Sequence, residues 1–429
     1  MIKEKSICAM IMAGGQGSRL SILSELRAKP AVPFAGKYRI IDFTISNAMH
    51  SRIPYVGICT QYRPYSLMTH ISNGSAWGYG GQRSQLSILP PYHTTHDTQW
   101  YKGTADAIYQ NLEFIEHFQN VEYVLILSGD HIYHMDYRKL LEFHSANQSD
   151  LTIVTQEIPW EETCRFGIVV LDGEQRITGF QEKPKQNPAS NLANLGIYLF
   201  NRRVLEQRLR EDAEKSDEES EHDFGKNVIP SMVEHGDSVQ AFRFNGFWRD
   251  VGTIQSYWET SMELLSPDTD IRIEDWRTRT NPWSHGKSIH VPARVLPSGT
   301  ASHALISQGC MVEGKVRNSV LSPGVYIGQN AVVEDSVILN DVYIAPGAVV
   351  RKAIIDKHAR VGYNTVIGEG DNAVNVELPG ILDSGITVIG KQAELPPSIA
   401  VGKNCLVYPG VSHNDFRQKE YESGSTIRK

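Results

Sequence analysis

The strongest constraint on the fold is an internal repeat in the last third of the chain. Residues 325–341 (VYIGQNAVVEDSVILND) and residues 342–358 (VYIAPGAVVRKAIIDKH) share seven identical positions, and residues 359–370 (ARVGYNTVIGEG) begin a third copy. Small aliphatic residues recur about every six positions, with glycine, asparagine or aspartate between them. Units of this length bury their apolar side chains only by stacking on their neighbours. The repeat therefore predicts a parallel β-helix with three short strands in each coil.

The first part of the chain follows a different pattern, in which apolar runs alternate with helical spacing. Residues 6–15 (SICAMIMAGG), 55–61, 123–130 and 150–156 predict buried strands, and residues 103–118 predict a helix. Strands that alternate with helices favour a mostly parallel sheet, which binds ligands at the carboxyl ends of its strands. The glycines that end the first strand and the SGDH turn at 128–131 both lie at such ends.

Changes in composition mark the expected boundaries. The charge run at 211–223 predicts a solvated loop, with an interaction element as the less favoured alternative. Residues 266–286 combine proline, tryptophan and charge without periodicity, which predicts an interdomain connection. We therefore predict a catalytic domain over 1–265, a linker over 266–288, a β-helix over 289–412 and a tail over 413–429.

The amino-acid composition excludes several classes of protein function. The chain has 429 residues, 41% of them hydrophobic and 21% charged, which is enough to bury sizeable cores. Its net charge of −7 argues against general binding of nucleic acid or of anionic membranes. The five cysteines are scattered without a CxxC pair, which favours reduced thiols. With no signal-peptide pattern and no apolar run of membrane-spanning length, the expectation is a cytoplasmic protein.

The stretch IMAGGQGSRLSILSELRAKPAVPF, residues 11–34, predicts a site for a polyphosphate. Gly14, Gly15 and Gly17 follow a buried strand, and Arg19 and Lys29 come soon after. Glycines let backbone N–H groups approach a ligand closely, and cations neutralise the phosphate charge. An isolated motif of this kind is a weak signal, because an ordinary surface turn with exposed cations is then the favoured explanation.

Further motifs occur in a fixed order, and together they carry a resemblance over nearly the whole chain. They are GGQGSRL (14–20), RAKPAVPFAGKYRIIDF (27–43), WYKGTADA (100–107), SGDHIY (128–133), FGIVV (166–170), EKP (182–184), HDFGK (222–226) and WRDVG (248–252). With the C-terminal repeats, they closely resemble the bacterial glucose-1-phosphate adenylyltransferase family. That resemblance implies an α/β fold, in which a Rossmann-like, mostly parallel nucleotidyltransferase domain precedes a left-handed parallel β-helix of hexapeptide repeats.

The resemblance also implies a reaction. ATP and glucose 1-phosphate give ADP-glucose and pyrophosphate with Mg²⁺ as the cofactor, for the synthesis of glycogen. A phosphate oxygen of the sugar displaces pyrophosphate in line, so catalysis consists mainly of positioning and charge neutralisation. The family pattern further implies a homotetramer and allosteric control by small metabolites.

The resemblance assigns roles to individual residues. The catalytic residues are Arg19, which clamps the pyrophosphate, Lys29, which neutralises the reacting phosphates, and Asp130. The nucleotide-binding residues are Gly14, Gly15, Gly17, Ser18, Gly103 and Thr104. The residues that bind glucose 1-phosphate are Tyr101, Gly167, Glu182, Lys183 and Asn194, where Asn194 replaces a serine common in relatives. Asp130 and Asp250 are the expected Mg²⁺ ligands, and His131 is expected to have a supporting role.

Two departures from the family pattern concern specificity. Many relatives have glutamines before the WY motif, where this chain has Pro91, Tyr92 and His93. Adenine recognition then depends on backbone contacts or stacking. Relatives activated by fructose bisphosphate have a lysine at the position of Leu26 and a histidine at that of Pro33. Arg27 and Arg39 remain as expected contacts for a small anionic effector, whose identity the sequence leaves open.

Three alternative functions stay open at this point. Hexapeptide solenoids also occur in acyltransferases that use a histidine base, and His290, His303, His358 and His413 lie in the repeat region. These histidines lack metal-like spacing and are more often corner or surface residues. A non-catalytic regulatory subunit is a second alternative, against which the full set of charged motif residues argues. Uridylyl or thymidylyl transfer, with the same chemistry and a different base, is the third.

Overall fold

The structure is a computed structural model that describes residues 7–81, 84–91, 100–173, 175–269, 271–282 and 291–429. Two compact units make up the chain. The first unit comprises residues 1–15, 43–64 and 71–248, and the second comprises residues 16–42, 65–70 and 249–429. Each unit therefore combines segments that are distant in sequence.

The first unit is built on a nine-stranded sheet. Its main path runs in the order Ile177–Glu182, Gly167–Leu171, Leu192–Asn201, Tyr123–Ser128, Ile7–Met12, Tyr55–Cys59 and Gln85–Leu89, and Leu151–Glu157 and Val239–Arg243 extend from Leu192–Asn201. Strand Ile7–Met12 pairs in parallel with Tyr55–Cys59 on one side and with Tyr123–Ser128 on the other. Strand Leu192–Asn201 runs antiparallel to its neighbours. The predicted strands are confirmed, and their continuous apolar runs fit a sheet that is buried on both faces.

Helices pack around this sheet. Those that lie wholly in the first unit are Thr104–Tyr109, Leu112–Glu116, Tyr137–Ala146, Arg202–Ala213 and Ile229–Glu234. Helices Ile40–His50 and Tyr65–Ile71 each contain residues of both units. The helix predicted over 103–118 is two helices, because the Asn111 amide donates to the Ala107 carbonyl at 2.8 Å and to the Tyr101 hydroxyl at 3.0 Å. Such local side-chain bonds compete with a continuous helix.

The prediction of a solvated loop over 211–223 is wrong for part of that segment. Helix Arg202–Ala213 extends into it, and the side chains of Asp212 and His222 are buried. The His222 imidazole lies 2.9 Å from the Asp212 carboxylate, which also accepts a 2.8 Å hydrogen bond from Ser220. A buried charge needs such partners. The composition of the segment did not predict that Asp212 would be buried and paired.

The second unit begins with the turn-rich segment 16–42. It contains the 3₁₀ turn Ser18–Leu20, helix Ile22–Glu25, the 3₁₀ turn Lys29–Ala31 and a hairpin of Pro33–Phe34 with Tyr38–Arg39. Gly36 in the hairpin turn has a φ of 76°, and a Cβ there would lie 2.4 Å from the Ser307 hydroxyl oxygen. Only glycine fits this close approach to the repeat region. Helices Ile254–Glu263 and Ile273–Trp276 follow in the second unit, the first of them opened by a Thr253–Ser256 capping box.

The repeats form the predicted parallel coils. Tyr326 pairs with Tyr343 and Val332 with Val349, and stacked neighbours such as Asn318 and Asp335 are 17 residues apart. Aliphatic side chains from every coil form one buried core. The strands are Arg294–Val295, Thr300–Ile306, Met311–Val312, Lys315–Leu321, Tyr326–Ile327, Val332–Glu334, Val337–Ile338, Tyr343–Ile344, Val349–Arg351, Ala353–Ile355, Arg360–Val361, Val366–Ile367, Thr387–Ile389, Glu394–Leu395, Ala400–Val401, Leu406–Val407, Glu420–Tyr421 and Thr426–Ile427.

The coil corners explain the polar residues between the aliphatic ones. Residues such as Asn330, Asp341 and Asn364 have φ near 60° there, in the left-handed region that asparagine and aspartate tolerate best. The predicted fold class, a mostly parallel α/β sheet followed by hexapeptide coils, is thereby confirmed. Among the described residues, no helix combines the length and the apolar character that a membrane span requires.

Candidate active site

Gly14 and Gly15 form the turn after the first buried strand of the first unit. A Cβ on Gly14 would lie 3.1 Å from the Gln61 Cβ, whereas a Cβ on Gly15 would meet no atom within 4 Å. The Gln61 amide oxygen accepts a 2.9 Å hydrogen bond from the Tyr101 backbone N–H. Gln61 thus joins the glycine turn to Tyr101, a connection that the motifs did not predict. Tyr92 and His93 lie outside the described residues.

Gly103 and Thr104 open the helix Thr104–Tyr109. The Thr104 hydroxyl donates to the Asp223 carboxylate at 2.8 Å and accepts from the Phe224 N–H at 3.0 Å. A Cβ on Gly103 would lie 2.3 Å from the carbonyl oxygens of both Glu221 and His222. Two segments that are distant in sequence are therefore in close backbone contact here, and Asp223 organises their contact.

Glu182 and Lys183 lie at the end of strand Ile177–Glu182. The Lys183 ammonium is 2.8 Å from the Glu182 carboxylate, and the Lys183 side chain is 60% exposed. A Cβ on Gly167 would lie 3.0 Å from the Glu182 Oε2, and a Cβ on Gly225 only 2.8 Å from it. The two glycines therefore make room for this carboxylate, and the motifs FGIVV, EKP and HDFGK meet in space at Glu182.

Asn194 sits where the pairing register of strand Leu192–Asn201 shifts. Its amide donates to the Tyr198 hydroxyl at 2.8 Å, and its oxygen accepts from the Gly196 N–H at 2.9 Å. Gly196 has a φ of 66°, and a Cβ there would lie 2.9 Å from the Ser128 hydroxyl oxygen and 3.7 Å from the His131 ring. The structure thus brings the Asn194 bulge next to the SGDH turn.

Asp130 and His131 follow strand Tyr123–Ser128, as predicted from the SGDH motif. The Asp130 carboxylate is half-buried and lies 3.6 Å from the His131 Nε2. The His131 ring packs edge-on against Trp248 at 4.9 Å between centroids, and Trp248 packs against Phe166 at 5.5 Å. This aromatic support for His131 is absent from the sequence-based prediction, although Trp248 and Phe166 each belong to a quoted motif.

In the second unit, Arg19 and Lys29 converge on Asp250. The Lys29 ammonium is buried and lies 2.6 Å from the Asp250 Oδ1, and the half-exposed Arg19 guanidinium is 3.8 Å from the Oδ2. Gly17 has a φ of 66°, and a Cβ there would lie 2.8 Å from the Lys29 Cβ. Ser18 is exposed in the same turn. The carboxylate therefore orients two cations that stand ten residues apart in sequence.

Arg27 and Arg39 also lie in the second unit. They belong to what we call the buried cationic cluster, which consists of the buried residues Arg27, Arg39 and Lys357 and the partly buried Lys391. The buried Arg27 guanidinium forms an ion pair with the buried Asp356 carboxylate. Arg39 donates from its Nη1 to the Ser66 carbonyl and hydroxyl, both at 2.9 Å. Sequence analysis missed the two lysines. The Asp356–Lys357 pair does interrupt the aliphatic pattern of its coil, and that interruption was a usable signal.

The cluster contains more positive than negative charge. Asp356 and Asp42 are the carboxylates in contact with it, and Asp42 also contacts the buried His70. Burial, reinforced by Arg39 and Arg27, holds the pKa of Lys357 well below its usual range, and burial also lowers the pKa of Lys391. The buried Arg27 Nη1 and Arg39 Nε make no hydrogen bond to any described residue. Such a cluster is chemically suited to an anion.

Comparison with known proteins agrees with this arrangement. The nucleotidyl transferase family matches residues 8–267, and the GlmU-like, C-terminal hexapeptide family matches residues 291–389. Proteins named glucose-1-phosphate adenylyltransferase are similar over nearly the whole chain. The one from Acetivibrio thermocellus is 43% identical over 99% of this chain and 98% of its own length. The one from Thermotoga neapolitana is 48% identical over 98% of each chain. The one from Clostridium acetobutylicum is 50% identical over 77% of this chain and 86% of its own. The chain therefore belongs to the glucose-1-phosphate adenylyltransferase family of nucleotidyl transferases.

Proposed function

We propose that this chain transfers the adenylyl group of ATP to α-D-glucose 1-phosphate, and that the ADP-glucose it forms supplies α-1,4-glucan (glycogen) synthesis. The observation that carries the proposal is the convergence of Arg19 and Lys29 on Asp250, in a chain whose relatives bear the name of this activity. The reaction needs fixed positive charge around phosphates that repel one another. A buried, carboxylate-bound lysine supplies that charge without reorganisation.

The proposed mechanism is an in-line displacement. A phosphate oxygen of glucose 1-phosphate attacks the α-phosphorus of ATP, and pyrophosphate leaves. Backbone N–H groups of Gly14, Gly15 and Gly17, with Ser18, hold the nucleotide phosphates. Arg19 is half-exposed and therefore free to clamp the leaving pyrophosphate with its planar fork, while Lys29 neutralises the reacting phosphates. His131 takes no proton, because the attacking phosphate is already a dianion.

The sugar phosphate is assigned to the Glu182 region of the first unit. Glu182 accepts hydrogen bonds from sugar hydroxyls, and the exposed Lys183 ammonium pairs with the phosphate. Tyr101, Gly167 and Asn194 complete this site, and Gly103 and Thr104 border the nucleotide. Because Asn194 already donates to Tyr198 and accepts from Gly196, we propose that it shapes the bulge and leaves the direct sugar contacts to its neighbours.

We propose Asp130 and Asp250 as the protein ligands of Mg²⁺. The donor set fits, because Mg²⁺ prefers a few carboxylates together with substrate oxygens. The half-buried Asp130 carboxylate is open to solvent on one side, and Asp250 uses one oxygen for Lys29. When bound, the ion neutralises phosphate charge at the reacting centre. Asp250 alone contacts Lys29 and Arg19 and would orient both cations.

The decisive experiment compares ATP, UTP, dTTP and GTP as substrates, with pyrophosphate release from glucose 1-phosphate as the readout. We expect the highest kcat/KM with ATP. A higher value with UTP or dTTP would assign the chain to uridylyl or thymidylyl transfer. Product formation from acetyl-CoA instead would support an acyltransferase, and no turnover with any nucleotide would support a regulatory subunit.

We also propose that a small anionic metabolite regulates the enzyme through the buried cationic cluster, which includes Arg27 and Arg39. Its support is the excess of buried positive charge and the two guanidinium nitrogens without partners among the described residues. Inorganic phosphate is a suitable first probe, with its effect on the initial rate and on thermal unfolding as readouts. Lys357→Met should abolish both effects, whereas Lys315→Met, at an exposed position, should retain them. Equal responses from both variants would contradict this assignment.

Self-association into a homotetramer is proposed from an open edge of the coils. Within the described residues, strand Thr300–Ile306 pairs only with Lys315–Leu321, and the side chains of Val291 and Val295, which precede it in the chain, are exposed. Open strand edges favour burial against a neighbour. Light scattering of Ala301→Asp and Val295→Lys tests this, because both should lower the assembly state. We also propose a cytoplasmic location and domain boundaries at 265 and 289. The boundary predicted at 412 does not separate the last segment from the coils, because strands Glu420–Tyr421 and Thr426–Ile427 pair with Ala400–Val401 and Leu406–Val407.

A further inference from the structure

We propose that Asp356 and Tyr257 are positioning residues for catalysis, because they anchor the two ends of the segment that carries Lys29. We call residues 27–34 (RAKPAVPF) the Lys29 segment. The inference rests on the proposed role of Lys29 at the reacting phosphates. Neither anchor belongs to the predicted active site, and both lie far from the segment in sequence, 329 and 224 residues away.

The first anchor holds Arg27. Its guanidinium is buried and bonded to the Asp356 carboxylate, which is fully buried within a coil. The Asp356 backbone N–H donates to the Ile389 carbonyl of the next coil at 2.8 Å. The carboxylate therefore extends from a rigid stack of strands. A buried ion pair is costly to break, because breaking it leaves an uncompensated charge.

The second anchor holds Pro33. The buried Tyr257 hydroxyl donates to the Pro33 carbonyl at 2.6 Å, and the Tyr257 ring packs edge-on against Phe34 at 6.0 Å between centroids. Tyr257 lies in helix Ile254–Glu263, whose capping residue Thr253 stands three positions after Asp250. The Pro33 anchor and the carboxylate that binds Lys29 therefore lie only seven residues apart, on the strand end at Asp250 and the helix that follows it.

Between the anchors the segment is a tight turn. The Ala31 N–H donates to the Ala28 carbonyl at 2.9 Å and the Val32 N–H to the Lys29 carbonyl at 3.0 Å, and Pro30 restricts the backbone further. A stiff turn with two fixed ends leaves the Lys29 side chain little freedom to move away from Asp250. Release of either end should displace Lys29, and a misplacement of about 1 Å costs on the order of 100-fold in rate.

The test uses two variants of different severity. Tyr257→Phe removes a single hydroxyl and keeps the ring, and Asp356→Asn removes the charge that binds Arg27. We expect each to lower kcat by about 10- to 100-fold, with the KM values for ATP and glucose 1-phosphate changed less than about threefold. Tyr257→Phe keeps the proposal testable where Asp356→Asn fails to fold.

Each variant has a matched control elsewhere in the chain. Tyr79→Phe removes another buried hydroxyl, which donates to the Ile53 carbonyl at 3.1 Å. Asp237→Asn breaks the Asp237–Arg208 pair, in which both nitrogen–oxygen distances are 2.8 Å or less. Neither residue contacts the Lys29 segment. Both controls should therefore keep the wild-type kcat, even where they lower the unfolding temperature.

A double-mutant cycle with Lys29→Met separates positioning from a general structural role. If Asp356 and Tyr257 act through Lys29, their substitution in the Lys29→Met background should change kcat less than about twofold. Full, additive losses in that background, or a wild-type kcat in folded Tyr257→Phe, would overturn the inference alone. A wild-type kcat for Lys29→Met itself would overturn the proposed role of Lys29, and the inference with it.

Discussion

Gly15→Ala isolates the proposed contact between the glycine turn and the nucleotide phosphates from any effect on the fold. A Cβ at this position meets no atom within 4 Å, and the φ of Gly15 lies outside the left-handed region. Alanine should therefore leave the free protein unstrained and raise the free energy of unfolding by about 0.4–1 kcal/mol, since it restricts the unfolded chain. The same methyl group should obstruct a phosphate that approaches the backbone N–H groups.

The expected loss follows from the bonds at stake. A hydrogen bond to a charged group contributes about 1.5–3 kcal/mol, and each 1.4 kcal/mol is a factor of about ten. Loss of one such bond should lower kcat/KM for ATP by about 10- to 150-fold and leave the KM for glucose 1-phosphate unchanged. Steady-state kinetics with each substrate varied in turn measures this.

The matched control is Gly380→Ala, where a Cβ also meets no atom within 4 Å. It should show the same tolerance in urea unfolding and the wild-type kcat/KM for ATP. Wild-type kinetics in Gly15→Ala would refute the reasoning, because a methyl group at the proposed phosphate site should lower kcat/KM for ATP. A large loss of stability would refute it as well, since the structure leaves this position open.

Three further predictions concern charge. Asp130→Asn should lower kcat by roughly 10²–10³ across a Mg²⁺ titration, because it removes an electrostatic stabiliser of the reacting centre; near-wild-type turnover would remove Asp130 from the proposed metal site. Lys183→Ala should raise the KM for glucose 1-phosphate by about 10- to 150-fold with little change in the KM for ATP, and equal changes in both would contradict its assignment. Burial lowers the pKa of His144 from 6.5 to about 4 in the folded protein. As the pH falls from 6.5 towards 4, His144 is therefore protonated in the unfolded chain but still neutral in the folded protein, and the free energy of unfolding decreases. Urea unfolding at pH 7.5 and 5 should therefore show an acid-induced loss about 2 kcal/mol smaller in His144→Gln than in the wild type.

The local sequence pattern was sufficient to predict the architecture of both the sheet and the coils. The apolar runs at 7–12, 55–59 and 123–128 predicted buried strands because strands covered on both faces need continuous apolar side chains. The coils were predictable because each repeat satisfies the same packing requirement as the one before it. The glycine turn was predicted at Gly14, Gly15 and Gly17, but the left-handed conformations and close contacts of Gly17 and Gly36 emerge only from the fold.

Tertiary partners of charged residues were not predictable in this way. The buried Asp212–His222 pair lies in a segment whose composition predicts a solvated loop. Lys29 and Asp250 are 221 residues apart, and only the fold shows that one holds the other. Likewise, the two lysines of the buried cationic cluster lie in the repeat region, where the sequence pattern predicts the packing of the coils but not a cluster of charges. Pairing across the chain depends on the full path of the backbone, which no local window contains.

The segments that make up the second unit connect the repeats directly to the residues proposed for catalysis. Residues 16–42, which include Arg19 and Lys29, form one compact unit with residues 249–429. Removal of the chain after about residue 266 would therefore take away Asp356 and the coil strands that pack against Gly36, and not only a separate module. The anion proposed for the buried cationic cluster would meet Arg27 two residues from Lys29, on a stiff turn. An effector that competes with Asp356 for Arg27 would then act on the reacting centre through that single turn, without any need for a longer path of coupled residues.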